Sequence, residues 1–369
     1  MIKVLCLPLL QIPSGHHQAA DTIIHAVLDI FPSASCEKAE ILSYRSEILE
    51  KLISSTYLKW IGYFPAMYSW IYRFSVCRNT SGQKHFKLYE QLYLQAMKTL
   101  IEERDPDLII CTHALPSYLV SKLKRSGKIT IPAVNAYTDF FIHQLWGTGS
   151  IDYHLVGHPA MKELLKQRSV EPERIFMTGI PFHKEITKRA EHRTIREPFS
   201  IFIAGGSLGI GPILSLLDKI GANQHLHYTV LCGRNAELYR RIKKRDHPRI
   251  TPLPYIDSRA EMNMLYDQAD AIITKPGGVT ITESLAKRLP VFIYHSLPGQ
   301  EEINYIELEK LGVVHSLMEK HNRKPLEQQL FSYLTNSDLM DQWRRAMDEY
   351  HKENFKDELN ETLKSIIFP

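Results

Sequence analysis

The amino-acid sequence predicts an α/β protein with two parallel-sheet domains, and three observations support this fold class. Short apolar runs suited to buried strands alternate with segments of helical periodicity, which is the pattern of βαβ units. The alternation occurs twice, before and after a charged, strand-poor passage at residues 181–198. The chain has 369 residues, 44% of them hydrophobic, so it is long enough to bury two separate cores.

Five strands are predicted in the first domain, which we place at residues 1–180. They are Val4–Leu10, Leu108–Thr112, Ile129–Val134, Asp152–Val156 and Ile175–Thr178. A helix is expected after the first strand, because Ala20, Ile23 and Val27 lie on one face at helical spacing.

Four strands are predicted in the second domain, at residues 199–350, and each ends in a loop with candidate ligand-binding residues. They are Ile201–Ala204 before a glycine-rich loop, Tyr228–Cys232 before Gly233-Arg234-Asn235, Ala271–Thr274 before Pro276-Gly277-Gly278, and Val291–Tyr294 before a polar cluster. Ligands of open α/β sheets bind beyond the carboxyl ends of the strands, so we expect these loops to converge on one site.

Composition excludes several functional classes. The five cysteines have no CxxC spacing, so they do not indicate a disulfide framework, and a reducing, cytoplasmic setting is expected. The apolar N-terminal run lacks a clean cleavage site and is interpreted as a buried strand rather than a signal peptide. No stretch reaches the roughly 18 apolar residues of a membrane-spanning helix. The net charge is only +4, and the basic run at 240–245 lacks a nucleic-acid-binding motif, so no nucleic acid partner is expected.

The most informative motif runs from Ile272 to Ala286 and suits a nucleotide-linked sugar. Paired glycines there allow close approach of a ligand, and Thr280 is predicted to open a helix whose amides favour anions. Glu283 can accept hydrogen bonds from two vicinal ribose hydroxyls. The alternative is a simple capping box formed by Thr280 and Glu283. That alternative leaves unexplained Lys275, Gly277, Gly278, Gln300, Glu301 and Asn304.

An aromatic segment, Tyr57–Val76, suggests contact with a bilayer. It combines Tyr and Trp with apolar neighbours and only two cations, and Pro65 argues for a segment lying in the membrane surface rather than spanning it. A cationic excess in the surrounding residues would attract an anionic membrane surface. The alternative is a helical hairpin packed on the first sheet. The predicted membrane contacts are Trp60, Trp70, Tyr72 and Arg73.

The motifs together resemble those of the glycosyltransferases that make monogalactosyl- and glucosyl-diacylglycerol, within the wider family that includes the transferase completing lipid II. They are Ser14-Gly15-His16, Pro106-Asp107-Leu108-Ile109-Ile110 with Thr112-His113, Thr138-Asp139-Phe140 with His143 and Trp146, Thr178-Gly179-Ile180-Pro181, Gly205-Gly206-Ser207 with Gly209, Cys232-Gly233-Arg234-Asn235, the Thr274–Glu283 motif, and Pro298-Gly299-Gln300-Glu301 with Asn304.

The resemblance implies two Rossmann-like domains facing across a cleft, the GT-B fold, with the UDP-sugar on the second domain and the acceptor on the first. It implies a C-terminal helix at 351–369 that crosses back to the first domain. It also implies inversion at the anomeric carbon with no metal and no cofactor other than the UDP-sugar co-substrate. The Asp-Pro-Asp run at 105–107, which imitates a metal motif, is interpreted as a turn that leads into a strand.

The chemistry of a UDP-hexose sets what the loops must supply. Its leaving diphosphate needs hydrogen-bond donors, its nucleoside needs a clamp, and the incoming hydroxyl needs a base. Amides of the 206–209 loop suit phosphate, and the resemblance adds Arg234 and backbone groups around Tyr255. The predicted donor-binding residues are Gly15, Gly206, Ser207, Arg234, Tyr255, Lys275, Gly277, Gly278, Thr280, Glu283, Gln300, Glu301 and Asn304.

His16 is the predicted general base, because imidazole titrates near neutrality and a helix N-terminus disfavours the imidazolium. Asp139 is the alternative base or an orienting partner. His143 and Trp146 are expected on one helical face with Asp139, where they line the acceptor mouth or simply pack. His113, which follows the predicted strand Leu108–Thr112, is also expected at the acceptor site.

We therefore expect a peripheral membrane enzyme on the inner face of the cell membrane. It should move a hexose, glucose before galactose, from UDP to the sn-3 hydroxyl of diacylglycerol. The sequence leaves open transfer of N-acetylglucosamine to another lipid or polyprenyl acceptor, a UDP-sugar 2-epimerase, and a catalytically silent UDP-sugar sensor.

Overall fold

The computed structural model describes residues 1–9, 14–45, 87–195, 197–206, 209, 211–221, 223–297, 299–318 and 324–368. The predicted membrane segment Tyr57–Val76, with Trp60, Trp70, Tyr72 and Arg73, lies outside the described residues, as does Ser207. The chain divides into two compact units. The first comprises Met1–Phe182, Pro298–Gln300 and Glu353–Pro369, and the second comprises His183–Leu297 and Glu301–Lys352.

The first unit is built on a parallel sheet in which six strands are described. They are β1 (Lys3–Leu7), β2 (Ser35–Lys38), β3 (Leu108–Cys111), β4 (Ala133–Ala136), β5 (Tyr153–Leu155) and β6 (Ile175–Phe176), in the spatial order β2-β1-β3-β4-β5-β6. The helices are α1 (Gly15–Ile30), α2 (Ile41–Arg45), α3 (Lys87–Arg104), α4 (Ala114–Arg125) and α5 (Pro159–Gln167).

The central strands are apolar at successive positions because helices cover both faces of the sheet. Successive strand side chains point to opposite faces. Leu5 of β1 and Ile109 of β3 therefore pack in one core cluster, while Val4 and Ile110 pack in the other. A strand buried on both faces carries an unbroken apolar run, which is why β1 and β3 were predictable.

The strand predicted at Ile129–Val134 is displaced and runs from Ala133 to Ala136. Pro132 precedes it, and a proline lacks the N–H group that a sheet ladder requires. Strand β2 was not predicted, because it is a mostly exposed edge strand without an apolar run.

The second unit also contains a parallel sheet with six described strands. They are β7 (Phe199–Ala204), β8 (Leu226–Leu231), β9 (Ile250–Leu253), β10 (Ala271–Thr274), β11 (Val291–Ile293) and β12 (Val314–Ser316), in the order β12-β11-β10-β7-β8-β9. The helices are α6 (Ile213–Leu217), α7 (Ala236–Lys244), α8 (Arg259–Gln268), α9 (Gly278–Ala286), α10 (Gln300–Lys310), α11 (Leu326–Leu334) and α12 (Ser337–Asn354). Gln300, the first residue of α10, and Glu353 and Asn354 at the end of α12 group with the first unit. The two outermost strands of this sheet, β9 and β12, were not predicted.

Residues of the expected linker 181–198 pack into the second unit from His183 onward. Arg189 donates its amide to the Ala286 carbonyl at 2.8 Å, and its guanidinium pairs with Asp267 at 2.8 Å. Lys287, almost fully buried, also pairs with Asp267 at 2.9 Å. This passage is therefore fixed on the second unit by ionic and backbone contacts.

The chain end belongs to the first unit. After Asn354, the Asp357 carboxylate accepts a hydrogen bond from the Met177 amide at 2.6 Å. Helix α13 (Leu359–Ile367) then packs on α1, with Leu363 and Ile366 in the core cluster that contains Val27. None of the helices in the described part of the chain has the length and hydrophobicity needed to cross a bilayer.

Candidate active site

Four loops of the second unit lie at the carboxyl ends of the strands of its sheet. They follow β7, β8, β10 and β11, and all four strands are parallel, so their carboxyl ends meet there. Most of the predicted donor-binding residues are on these loops or on the helices that begin there.

The glycine loop after β7 packs directly against the loop after β8. Gly209 has φ +59°, and a Cβ there would lie 2.0 Å from the Cys232 carbonyl oxygen. Asn235 fixes the contact, since its Nδ2 donates to the Gly209 carbonyl at 3.2 Å and its Oδ1 caps α7. Gly206 has φ +79°, but a Cβ there would meet no atom of the described residues within 4 Å. In the described part of the chain nothing therefore covers the backbone at Gly206, whereas Gly209 is required for loop packing.

Arg234 and Tyr255 lie together on the loops after β8 and β9. The Arg234 guanidinium carbon is 4.7 Å from the centre of the Tyr255 ring, which is a cation–π contact. The ring orients an exposed cation at the sheet edge where a nucleotide would bind.

Thr280 does not open the helix after β10, contrary to the expectation. Helix α9 begins at Gly278 with Gly277 as its N-cap, so Thr280 is already in the first turn. A capping box requires the threonine at the N-cap position, so the structure excludes that alternative for Thr280 and Glu283. The N-cap makes no side-chain hydrogen bond, and the first-turn amides of α9 are suited to an anion.

Glu283 is a buried carboxylate, 5% exposed. The Tyr266 hydroxyl donates to its Oε2 at 2.8 Å. Burial raises the pKa of Glu283, and the Tyr266 hydrogen bond opposes that shift. An ionised carboxylate has about four acceptor positions, so Glu283 keeps the capacity to bind ribose hydroxyls. Tyr266 was not predicted, because nothing in its local sequence indicates the contact.

The polar cluster after β11 joins the loop after β10. Lys275 Nζ pairs with Glu301 Oε1 at 3.0 Å, and Glu301 Oε2 accepts the Leu297 amide at 2.7 Å. Asn304 is buried and donates to the Pro276 carbonyl at 3.1 Å. These contacts brace the two loops, so Glu301 and Asn304 have structural partners in addition to any ligand.

His16 lies in the first turn of α1, after Gly15, the first helical residue. Its Nδ1 is 3.0 Å from the Thr112 carbonyl oxygen and 2.7 Å from Thr138 Oγ1. A carbonyl can only accept, so Nδ1 carries the ring proton and Nε2 is the basic nitrogen. The expectation that His16 titrates near neutrality is wrong, because burial lowers its pKa to about 4; the ring is therefore neutral at pH 7. The neighbouring His17 is instead paired with Glu40 at 3.0 Å.

Two further histidines accompany His16 in the first unit. The rings of His16 and His113 lie 4.7 Å apart, edge to face. The Nδ1 atoms of His113 and His143 accept hydrogen bonds from the Leu115 and Leu145 amides at 3.1 and 3.3 Å. Burial lowers the pKa of both rings, to about 3 for His143. Each ring therefore carries its proton on Nε2, as a donor.

The expected helical face carrying Asp139, His143 and Trp146 is wrong, because these residues lie in turns and irregular backbone. Trp146 is 4% exposed and packs on Tyr137 in the core, with ring centres 4.5 Å apart. Its role is therefore packing. Asp139 is buried, and its Oδ2 accepts a hydrogen bond from Gln300 Nε2 at 2.5 Å.

Asp105 and Asp107 lie before β3, at the amino end of the sheet. Their carboxylates accept hydrogen bonds from the Lys3 ammonium and the Lys3 amide at 3.0 and 2.8 Å. In the part of the chain that the structure describes, no group of three His, Cys, Asp or Glu side chains is arranged to hold a metal.

Comparison with known proteins decides the family. An uncharacterized glycosyltransferase of Bacillus subtilis, YkoN, is 41% identical over 369 residues, covering 100% of this chain and 98% of the relative. The family model for monogalactosyldiacylglycerol (MGDG) synthase matches residues 16–182, and that for the glycosyltransferase family 28 C-terminal domain matches residues 200–363. The chain belongs to glycosyltransferase family 28.

Other similar proteins fit this assignment. A processive diacylglycerol β-glucosyltransferase of Bacillus licheniformis is 25% identical over 352 residues, covering 92% of this chain and 89% of the relative. The crystal structure of Acinetobacter baumannii MurG matches with a TM-score of 0.60 and 14% identity, covering 99% of each chain. The fold is that of the GT-B glycosyltransferases, and this family 28 protein is a glycosyltransferase.

Proposed function

We propose that this enzyme transfers a hexose, glucose in the first place, from a UDP-sugar to diacylglycerol at a membrane surface, with inversion at the anomeric carbon. The observation that carries the proposal is the 3.0 Å contact between His16 Nδ1 and the Thr112 carbonyl oxygen, which assigns the ring proton to Nδ1 and leaves Nε2 as the basic nitrogen. The family assignment and the names of the diacylglycerol glucosyltransferase relatives support the choice of substrates.

The reaction would begin when His16 Nε2 removes the proton from the acceptor hydroxyl. That oxygen forms a bond to the anomeric carbon while the bond from this carbon to the diphosphate oxygen breaks, and UDP leaves. The pKa of about 4 keeps His16 neutral, and so able to accept the proton, at all pH values well above 4. Activity should therefore fall as the pH decreases through about 4, where the ring becomes protonated. No metal or cofactor takes part in this scheme.

The second unit would bind the donor. Glu283, oriented by Tyr266, accepts hydrogen bonds from the ribose hydroxyls, and Arg234 on the Tyr255 ring approaches the nucleotide. Amides at Gly206 and in the first turn of α9 donate to the diphosphate, where negative charge develops as UDP leaves. Lys275, Glu301 and Asn304 of this unit would contact the sugar, and Gln300 keeps its predicted role in donor binding.

The first unit would supply the acceptor site. His113 and His143 carry Nε2–H donors, and the His113 ring lies 4.7 Å from the His16 ring, a combination suited to an acceptor rich in oxygen. The aromatic and apolar sequence of Tyr57–Val76 supports contact with a membrane surface, and the cationic excess in the surrounding sequence supports an anionic one. The inner face of the cell membrane is the proposed location.

Labelled donors presented over diacylglycerol vesicles test this proposal. UDP-glucose, UDP-galactose and UDP-N-acetylglucosamine should be compared, with label followed into the lipid fraction. We expect glucosyl-diacylglycerol from UDP-glucose and at least tenfold less product from UDP-N-acetylglucosamine. Label in lipid only from UDP-N-acetylglucosamine, or epimerised donor with no labelled lipid, would contradict the proposal.

A further inference from the structure

A second concave site lies in the second unit, near the loop after β11. It is a pocket of about 560 Å³, a volume typical of small-molecule sites. Its floor includes the buried side chains of Leu216, Leu317 and Leu326, and its rim includes the exposed Lys219 and Lys324. No role in donor or acceptor binding has been assigned to these residues.

The pocket separates apolar surface from positive charge. None of the described residues that line it is acidic. Glu327, in the first turn of α11, does not line the pocket. Its carboxylate instead accepts hydrogen bonds from the Tyr228 hydroxyl at 3.1 Å and from Arg249 at 2.9 Å. An apolar floor under two lysines complements a molecule with an apolar body and an anionic head.

Two polar features of the pocket wall also favour an anion. Helix α11 begins at the pocket with Pro325 as N-cap and no side-chain capping bond, so its first-turn amides lack intrahelical acceptors. Tyr294 lines the same pocket and is 9% exposed. Its hydroxyl has no hydrogen-bond partner in the described part of the chain, and a buried hydroxyl without a partner is unfavourable.

We propose that this pocket binds a phosphorylated amphiphile. The phosphoryl group would lie between Lys219, Lys324 and the α11 N-terminus, since two cations and a helix N-terminus suit a doubly charged head group. The apolar body would lie on Leu216, Leu317 and Leu326. The same chemistry is available from a phospholipid and from a soluble phosphate ester, so the test must separate these two sources.

The test is titration calorimetry on the full chain with three probes: dihexanoyl phosphatidate below its micelle concentration, dihexanoylglycerol, and inorganic phosphate. One variant, Lys219→Ala with Lys324→Ala, removes the rim charge, and another, Ser215→Trp, fills the exposed rim. A control, Arg241→Ala with Lys244→Ala, removes two exposed cations from α7 of the same unit. Melting temperatures confirm that each variant is folded.

We expect saturable binding of the phosphatidate, at least tenfold weaker in both pocket variants and unchanged in the control. Dihexanoylglycerol should bind at least tenfold more weakly than the phosphatidate. If inorganic phosphate binds as tightly as the phosphatidate, the proposed phosphoryl site is supported, and its ligands are soluble phosphate esters rather than phospholipids. Absence of saturable binding, or equal weakening in the control, would overturn the proposal. UDP binding, measured in parallel, should not change in the pocket variants, which separates this result from the proposed function.

Discussion

Glu283 and Tyr266 are separated by 17 positions in the sequence and meet in the core of the second unit. The tyrosine hydroxyl holds one oxygen of a buried carboxylate and so fixes the direction of the other. His16 is fixed in the same way by the Thr112 carbonyl, 96 positions away. At the scale of single residues, these partners convert candidate side chains into an oriented acceptor and an oriented base.

Tyr266→Phe should weaken UDP binding about fivefold to tenfold, because without the hydrogen bond that orients the Glu283 carboxylate roughly 1 kcal/mol of binding free energy is lost. Tyr228→Phe is a matched control, since Tyr228 donates to the equally buried Glu327 at 3.1 Å. Both variants should lose about 1–3 kcal/mol of stability in urea unfolding. Only Tyr266→Phe should change the UDP dissociation constant measured by calorimetry; equal UDP affinity in the two variants would refute the role of Tyr266.

The sequence identified His16 and Glu283 as candidates but could not identify Tyr266, Thr112 or Thr138 as their partners. A side chain's chemistry and its place beside a predicted strand are local properties, whereas these contacts depend on how distant elements pack. The same limit explains Trp146, whose helical spacing from Asp139 in the sequence does not correspond to a helix in the structure.

At the scale of elements, the loop after β7 combines two glycines with different functions. Gly209 packs on the Cys232 carbonyl, while none of the described residues lies within 4 Å of where a Gly206 Cβ would be. Both have positive φ, so both substitutions to alanine carry a backbone cost of about 1 kcal/mol. Among the contacts that the described residues make, only the one at Gly209 adds a steric clash.

Gly209→Ala should therefore lower the free energy of unfolding by about 1–3 kcal/mol more than Gly206→Ala does, because the loop after β8 must move. Gly206→Ala should retain most of its stability and weaken UDP binding, because the new methyl group occupies the space proposed for the diphosphate. Urea unfolding and calorimetry measure the two effects. Similar losses of stability in the two variants would show that the contact at Gly209 is unimportant.

For strands buried on both faces, most predicted ends lie within about three residues of the observed ones. An unbroken apolar run such as Ala271–Thr274 has few other interpretations. Of the four edge strands in the described sheets, β6 was predicted, but β2, β9 and β12 were not predictable from such runs. The positions of β2 and β9 are mostly exposed or half-buried, and β12 has only three residues. An edge strand is defined by its neighbour in the sheet more than by its own composition.

At the scale of the whole molecule, the chain end completes the core of the first unit. Leu363 and Ile366 of α13 pack in the same cluster as Val27 of α1, the helix that begins beside His16. The apolar spacing of the C-terminal residues is visible in the sequence, but the resemblance to a family, not the spacing, indicated which unit they would cover.

Leu363→Ala should destabilise the first unit by about 2–5 kcal/mol, because it removes a fully buried leucine. Lys364→Ala, at the next and exposed position, should change stability by less than about 0.5 kcal/mol. Urea unfolding followed by circular dichroism measures both. An unaltered unfolding midpoint for Leu363→Ala would show that α13 is dispensable for the first unit.

The rate of hexosyl transfer by His16→Ala, compared with His17→Ala, tests the central claim most directly. Both variants remove one imidazole from the first turn of α1, but only His16 is proposed to hold a basic Nε2 toward the acceptor, while His17 pairs with Glu40. With UDP-glucose and diacylglycerol vesicles, kcat should fall about 10²–10⁴-fold for His16→Ala with UDP binding retained, and less than tenfold for His17→Ala. Transfer by His16→Ala at the unsubstituted rate would contradict the account.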